Sequence, residues 1–262
     1  MTPPDRGGPT AAPLPAGWHR QQLVRLRGEG WAKVLEAPWD DGARDCLALW
    51  ARRGLPLVVT RQPPAQGDIL ATGLPAPASH GRRRLAVAVA PRDVLLPDEF
   101  PDAQAAAPTL PPAAAPAWRA LVAALAAHGC AARVYGGFGW QALTGMAYVH
   151  AESDLDLLLP VETAAQADAI ARLLALSEGV RSCLLPPARV ASSCELVDGG
   201  QKARPDPRLM WNGPRLDGEL LFADGAAVAW REWLAYRQGR AAQVLVKRLH
   251  GVALEHFAAD PA

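Results

Sequence analysis

Lysine is almost missing from this chain. Of 27 basic residues only Lys33, Lys202 and Lys247 are lysines, and arginine supplies the rest. Arginine forks suit phosphate recognition, although a GC-rich genome is sufficient to produce the same bias. Excess charge is missing too. The net charge of +1 excludes the broadly basic surface of a general nucleic-acid binder, so any basic patch must be local. Cysteine is scarce: Cys46, Cys130, Cys183 and Cys194 form no C-x-x-C and no Cys/His cluster of zinc spacing, which reads as small buried thiols in a reducing cytoplasm. No apolar run approaches the ~18 residues of a membrane helix. The opening Met1-Thr2-Pro3-Pro4-Asp5 lacks the apolar region of a secretory signal. These absences predict a cytoplasmic protein without a membrane or nucleic-acid partner.

What is present is enough apolar material for a core. Half of the 262 residues are hydrophobic, which supports one large or two modest domains. Residues 1–16, rich in Pro, Gly and Ala, read as a disordered tail. Residues 17–100 read as a small α+β domain: an amphipathic stretch from Trp18 to Leu26, a helix over 41–51, and strands near 56–60, 69–74 and 84–90. The densest basic run, His80-Gly81-Arg82-Arg83-Arg84, reads as a charged hairpin tip, with a docking surface for an acidic partner as the sharper reading. Residues 101–115 (PDAQAAAPTLPPAAA) read as a Pro/Ala linker. Residues 116–262 then form a second domain. Its helices are predicted over 118–128, 138–143, 164–176 and 230–237, and short strands near 183–185 and 194–197. A strand over 215–222 turns at Asp224-Gly225 into 227–229, and a final hairpin pairs 244–247 with 252–254.

The most informative stretch runs from Arg133 to Leu159. The strand end Val134-Tyr135 meets Gly136 and Gly137, and a helix follows. Glycines at such a junction let the backbone approach a phosphate, with the helix N-terminus supplying N–H donors. Next comes Ser153-Asp154-Leu155-Asp156 in a run of leucines. Read as a strand, it aims Asp154 and Asp156 the same way, ~7 Å apart. Two adjacent carboxylates in an apolar strand make sense around a cation, and magnesium often takes one or two carboxylates plus substrate phosphates. An isolated Asp-x-Asp is usually a solvated turn or strand end; its position after the Gly-Gly junction favours the metal clamp.

A second pair, Asp217 and Glu219, has the same spacing in a later strand. Two-metal phosphoryl transfer draws carboxylates from more than one strand, so Asp217 or Glu219 would complete a second ion site and help deprotonate an attacking hydroxyl. An exposed bulge is the plain alternative for this pair. Arg215, the other cations of the 199–215 loop, and Lys247 could neutralise phosphates, though for any single one a solvated surface charge is the favoured reading. A rival reading takes Gly137-Phe138-Gly139-Trp140-Gln141-Ala142 as the G-x-G-x-x-G/A dinucleotide fingerprint, with Asp156 about 20 residues on. That fingerprint's acidic residue ends a strand, whereas Asp154 and Asp156 open one, and the second aspartate is left without a role.

The run from Val134 to Leu159, with Trp140-Gln141-Ala142-Leu143-Thr144-Gly145 and Ser153-Asp154-Leu155-Asp156-Leu157-Leu158, resembles the phosphoribosyl-dephospho-CoA transferase family. This family is also called malonate decarboxylase holo-acyl-carrier-protein synthase and belongs to the nucleotidyltransferase superfamily. Arg215-Leu216-Asp217-Gly218-Glu219, Ala229-Trp230-Arg231-Glu232-Trp233 and Leu55-Pro56-Leu57-Val58-Val59 are similar to its other signatures, so the likeness spans nearly all of the chain after the tail. One departure is Gly137, where the family usually has serine. The resemblance implies an α+β fold whose second domain is nucleotidyltransferase-like, a mixed β-sheet flanked by helices. It implies an enzyme that transfers a group from 2'-(5''-triphosphoribosyl)-3'-dephospho-CoA to a serine of the apo acyl-carrier subunit of malonate decarboxylase, with release of diphosphate. Asp154, Asp156, Asp217 and Glu219 would be catalytic, with Asp154, Asp156 and Asp217 holding two Mg²⁺ ions. Gly136, Gly137, Arg215 and Lys247 would bind substrate, and no organic cofactor is implied. A nucleotidyltransferase acting on a small molecule and a non-catalytic carrier-binding module are the alternatives.

Overall fold

The computed structural model describes residues 18–63, 68–179 and 210–257. The expected tail, the strands expected near 183–185 and 194–197, and Lys202, Arg204 and Arg208 lie outside the described residues. The fold is α+β, built on two sheets, each with its own hydrophobic core.

The first sheet is antiparallel. It contains β1 (Leu23–Leu26), β2 (Leu57–Val59), β3 (Leu70–Pro75), β4 (Arg84–Val89) and β5 (Val94–Asp98), in the order β4-β3-β2-β1-β5. Two helices accompany it, α1 (Gly28–Glu36) and α2 (Asp41–Arg53). The second is capped at its start, where the Asp40 carboxylate accepts from Ala43 N, and closes on Gly54 in the left-handed region. Helix α1 and strand β5 were not predicted. Glycines at 28 and 30 weaken the local helical signal, and Pro97 sits in β5 because that strand is an edge. The basic run forms the β3–β4 turn, where Arg83 is spent on a bidentate pair with Asp40 at 2.7 and 2.6 Å.

The second sheet is mixed, with order β11-β10-β9-β8-β7-β6. Its strands are β6 (Arg133–Val134), β7 (Leu155–Val161), β8 (Leu216–Phe222), β9 (Ala227–Ala229), β10 (Val244–Lys247) and β11 (Val252–Glu255). Among the described residues only the β7–β8 pairing is parallel. A parallel pair needs a crossover, and α5 (Ala164–Ser177) follows β7 to begin it, capped by Thr163 Oγ1 accepting from Gln166 N. Leu155, Leu157, Leu159, Leu216 and Leu220 bury one face of the sheet, together with residues of α5 and α3 (Ala115–Ala127). The last helix, α6 (Trp230–Arg237), docks on α5 through Asp168, which accepts from Trp233 Nε1 and Arg237 Nε. Trp233 of the Ala-Trp-Arg-Glu-Trp signature is thus explained by packing.

The stretch read as a Pro/Ala linker packs against the second core. Residues 103–109 and 112–114 form 3-10 turns; Ala103, Ala106 and Leu110 are buried in the second core, and Ala114 is also buried. Alanines small enough to sit against α3 carry the packing that a composition-based reading assigned to flexibility.

One element joins the two cores. Helix α4 (Gly136–Thr144) puts Phe138 into the second core and Trp140 into the first. Trp140 lies edge-on to Phe100 at 5.4 Å and near Trp50 and Tyr148 at 6.3 Å each.

Candidate active site

The sequence between Tyr135 and Asp156 makes a strand, a helix and a return loop whose two ends meet. Tyr135 N donates to Asp156 O at 3.0 Å, so the residue before α4 pairs with the carboxylate's own backbone. Gly136 opens the helix at φ +59. A Cβ there would lie 2.8 Å from Cγ and 3.1 Å from Cβ of Asp156, and closer still to Oδ2. Only glycine lets the helix N-terminus approach this carboxylate so closely. No side chain caps the first turn of α4, so its early N–H groups face the site without a side-chain acceptor. Gly137 is different: a Cβ there would have Ser153 Oγ as its nearest neighbour, at 4.0 Å.

The rest of the Trp-Gln-Ala-Leu-Thr-Gly signature fixes the return loop. Gln141 Oε1 accepts from both Tyr148 N and Val149 N at 3.0 Å. Thr144 Oγ1 donates to Trp140 O and accepts from Met146 N, and Gly145 takes the left-handed position after the helix. These contacts set where the loop enters Asp154. The strand begins later than predicted, at Leu155, so Asp154 precedes it. Leu155 N donates to Arg215 O, which holds the two chain segments together at the mouth of β7 and β8.

In the parallel β7–β8 register, Asp156 stands opposite Asp217 and Leu158 opposite Glu219. Alternation puts Asp156, Asp217 and Glu219 on the face opposite the leucine core. Burial raises the Asp156 pKa, and the charges of Asp217, Asp154 and Glu219 raise it further, to about 7. Gly218, between the two carboxylates, lies hard against the Leu157 backbone at φ +152, leaving no room for a side chain. The pair expected as a possible exposed bulge is therefore inside the sheet, with Glu219 only 6% exposed.

The cations are already engaged. Arg215 donates through Nε to Asp154 Oδ1 at 3.0 Å and through Nη2 to Asp154 Oδ2 at 2.5 Å, and Nη2 also reaches Asp217 Oδ2 at 3.3 Å. This pairing holds the Asp154 carboxyl below its usual range and raises the guanidinium. Lys247 Nζ donates to Glu219 Oε1 at 2.6 Å. The other oxygen, Oε2, is buried with no hydrogen-bond partner among the described residues. Behind the site, Glu178 accepts from Leu216 N and Arg231 Nη2, while Arg231 also donates to Leu216 O, which pins the start of β8.

All eight residues singled out in the sequence lie on or beside this one face. Among the described residues no group of three or more His, Cys, Asp or Glu side chains converges as a ready-made metal cage. The donor set is nevertheless hard oxygen, and Asp156, Asp217 and the orphaned Glu219 oxygen concentrate negative charge that a hard cation would neutralise. Mg²⁺ needs few protein ligands when phosphates supply the rest. Asp154, Asp156 and Asp217 therefore fit such an ion.

Two neighbours were missed. Tyr135 is half-buried, its phenol pKa raised first by burial and then by Glu219, Asp156 and Asp217, with Arg20 opposing. The position of Tyr135 beside Gly136 was a usable signal. Nothing in the sequence connects Arg20 to residues more than a hundred positions away.

Comparison with known proteins shows what the chain is similar to. Residues 19–100 match the family described as phosphoribosyl-dephospho-CoA transferase MdcG N-terminal domain, and residues 96–185 and 201–257 match the MdcG C-terminal domain. A phosphoribosyl-dephospho-CoA transferase of Xanthomonas euvesicatoria pv. vesicatoria is 36% identical over 230 residues, covering 87% of this chain and 89% of the relative. One from Xanthomonas campestris pv. campestris is 35% identical over 240 residues, 90% of this chain and 92% of that one. One from Bradyrhizobium diazoefficiens is 33% identical over 235 residues, 90% and 88%. No solved structure matches the chain. With both domain families matched in order and the relatives aligned nearly end to end, the chain belongs to the phosphoribosyl-dephospho-CoA transferase family.

Proposed function

We propose that this protein transfers the phosphoribosyl-dephospho-CoA group from 2'-(5''-triphosphoribosyl)-3'-dephospho-CoA to a serine of the apo acyl-carrier subunit of malonate decarboxylase, by nucleotidyltransferase chemistry in the cytoplasm. The observation that carries the reading is the meeting of the α4 N-terminus with Asp156, itself opposite Asp217 across β7–β8. Phosphate donors approach helix N-termini, and carboxylates beside them need a cation to share.

In this reading the serine oxygen attacks the α-phosphorus. A new O–P bond forms as the bond to the β-phosphate oxygen breaks, diphosphate leaves, and the serine proton passes to a carboxylate of the site. The first-turn N–H groups of α4 at Gly136 and Gly137 bind phosphate oxygens. Asp154, Asp156 and Asp217 would hold Mg²⁺, two ions by this reading, which when bound supplies charge neutralisation on the triphosphate. Arg215, exposed at the rim, is near enough to neutralise phosphates, and would be freed from Asp154 where that carboxylate holds a metal ion. No organic cofactor is required, because the dephospho-CoA derivative is consumed as substrate.

The test is the intact mass of the purified apo carrier after incubation with the protein, Mg²⁺ and the triphosphoribosyl donor. The expected result is a mass gain equal to the phosphoribosyl-dephospho-CoA group. That gain should disappear with EDTA and fall by at least about 10³-fold in Asp154→Ala and Asp156→Ala, since losing metal ligands removes several kcal/mol of charge stabilisation. Near-normal rates in both variants would refute the mechanism. Turnover of ATP or CTP without any carrier would favour a small-molecule nucleotidyltransferase.

A further inference from the structure

We propose that Lys247 is a positioning residue for Glu219 rather than a phosphate contact, and that the second oxygen of Glu219 receives a substrate hydroxyl. The hydroxyl half of this inference rests on the transfer reading above; the assignment of Lys247 does not.

The geometry begins on the sheet. Val244 and Val246 bury themselves in the core, so Lys247 lies on the carboxylate face. β9 runs between β10 and β8, and its residues on that face are Ala227 and Ala229. Two methyl groups leave a clear path, and Lys247 reaches diagonally over them to Glu219 Oε1 at 2.6 Å. A larger residue at 227 or 229 would stand in that path. The lysine's charge is spent on a carboxylate that is 6% exposed, so it is not free to cradle a triphosphate.

The pairing also leaves something over. Glu219 Oε2 is buried and has no partner among the described residues. A buried acceptor without a donor is costly, more so when charged, so this oxygen marks a place where a ligand donates. An ionised carboxylate only accepts hydrogen bonds. With the cation assigned to Asp154, Asp156 and Asp217, the partner of this oxygen must carry an O–H or N–H, and a phosphate oxygen would be repelled. In the proposed reaction the neutral donors nearest the reacting phosphorus are hydroxyls: the ribose hydroxyl of the donor or the serine hydroxyl of the carrier. Lys247, by holding one oxygen, fixes the direction of the other.

The test uses the full chain and four variants: Glu219→Gln, Lys247→Met, Lys247→Arg and the double Glu219→Gln/Lys247→Met. Lys247→Met strands a buried carboxylate and is expected to fold poorly, so the double variant, which removes both charges together, is the decisive one. Inorganic diphosphate with Mg²⁺ is titrated calorimetrically. The double variant should bind it within about threefold of the parent. A loss of about tenfold or more, one strong charge-assisted contact, would show that Lys247 binds phosphate and overturn its assignment. This arm needs neither donor nor carrier.

The hydroxyl is read by single-turnover transfer to the carrier. Glu219→Gln should slow transfer about 10²-fold, the scale of a lost orienting contact. The double variant should be no slower than Glu219→Gln, and Lys247→Arg should retain most of the rate. If the donor's ribose hydroxyl is the partner, Glu219→Gln also raises the donor Kd. If it is the serine, donor Kd is unchanged and only the transfer step falls. Transfer within threefold of the parent in Glu219→Gln, or single effects that multiply in the double variant, would overturn the pairing. A parent protein that binds diphosphate and transfers nothing would overturn the transfer reading and with it the hydroxyl assignment, while leaving the Lys247 result standing.

Discussion

Two adjacent glycines should respond oppositely to the same added methyl group. At Gly136, φ is +59 and a Cβ would sit 2.8 Å from Asp156 Cγ and 3.1 Å from its Cβ. Normal carbon contacts are about 3.5–4.0 Å, so Gly136→Ala must push the carboxylate about 1 Å away. The left-handed backbone adds about 1–2 kcal/mol. For a chain of this size that is a Tm loss of about 3–8 °C, and a 1 Å misplacement at the reacting centre costs about 10²-fold in rate. At Gly137 the nearest atom to a Cβ is Ser153 Oγ at 4.0 Å. Replacing a helical glycine by alanine gains about 0.5–1 kcal/mol, so Gly137→Ala should raise Tm by about 2–3 °C. Gly137→Ser should fold equally well and, by restoring a hydroxyl toward the phosphate side, should lower the donor Kd. Scanning calorimetry and the carrier mass assay measure both quantities. If Gly136→Ala is neutral in both, or Gly137→Ala is as damaging as Gly136→Ala, close approach to Asp156 is not what selects glycine here.

Three further outcomes follow from the same site. Asp156 has a folded pKa of about 7, above its value near 3.9 in the unfolded chain; the folded state therefore holds the extra proton between those values, and stability falls as pH rises from about 4 to 7. Asp156→Asn removes that fall, so its Tm in metal-free buffer should match the parent near pH 4 and exceed it at pH 8; equal Tm at both would refute the assigned environment. Arg215 bridges Asp154 and Asp217, and Arg215→Met should tighten Mn²⁺ binding to the donor-free protein about fivefold by electron paramagnetic resonance, the scale of one partly exposed charge, while slowing transfer; weaker binding would show that Arg215 supports the ion site instead. Gln141→Leu leaves Tyr148 N and Val149 N without their acceptor, a loss of about 1–3 kcal/mol, and should raise hydrogen exchange in residues 146–153 before the rest of α4; unchanged exchange there would refute the pinning role.

Much of the site was legible because its chemistry sits in short local patterns. Asp-x-Asp in a leucine run and Leu-Asp-Gly-Glu in another predicted two strands sharing a carboxylate face, and the β7–β8 register joins them. What the patterns could not supply was partnership across distance. Arg215 and Lys247 were taken as phosphate contacts, and nothing local reveals that each faces a carboxylate, 61 and 28 residues away respectively. The start of β7 was placed two residues early because Ser153 and Asp154 continue the alternation, while the backbone pairing begins only at Leu155. Composition misled at 101–115, where alanine reads as filler but its small size is what allows burial against α3. Trp140 lies in a signature that carries the family resemblance, and its side chain is buried in the first core.

That last placement bears on how such a protein can be recombined. Helix α4 begins with the glycine that touches Asp156 and carries, four residues later, a tryptophan wedged among Trp50, Phe100 and Tyr148. A chimaera cut at the boundary near residue 100 would separate that tryptophan from Trp50, with which its shape must agree. The mismatch would be felt one helical turn away, at the carboxylates. The two halves of this chain are therefore not interchangeable parts, and a graft between relatives would have to exchange the aromatic cluster as a set.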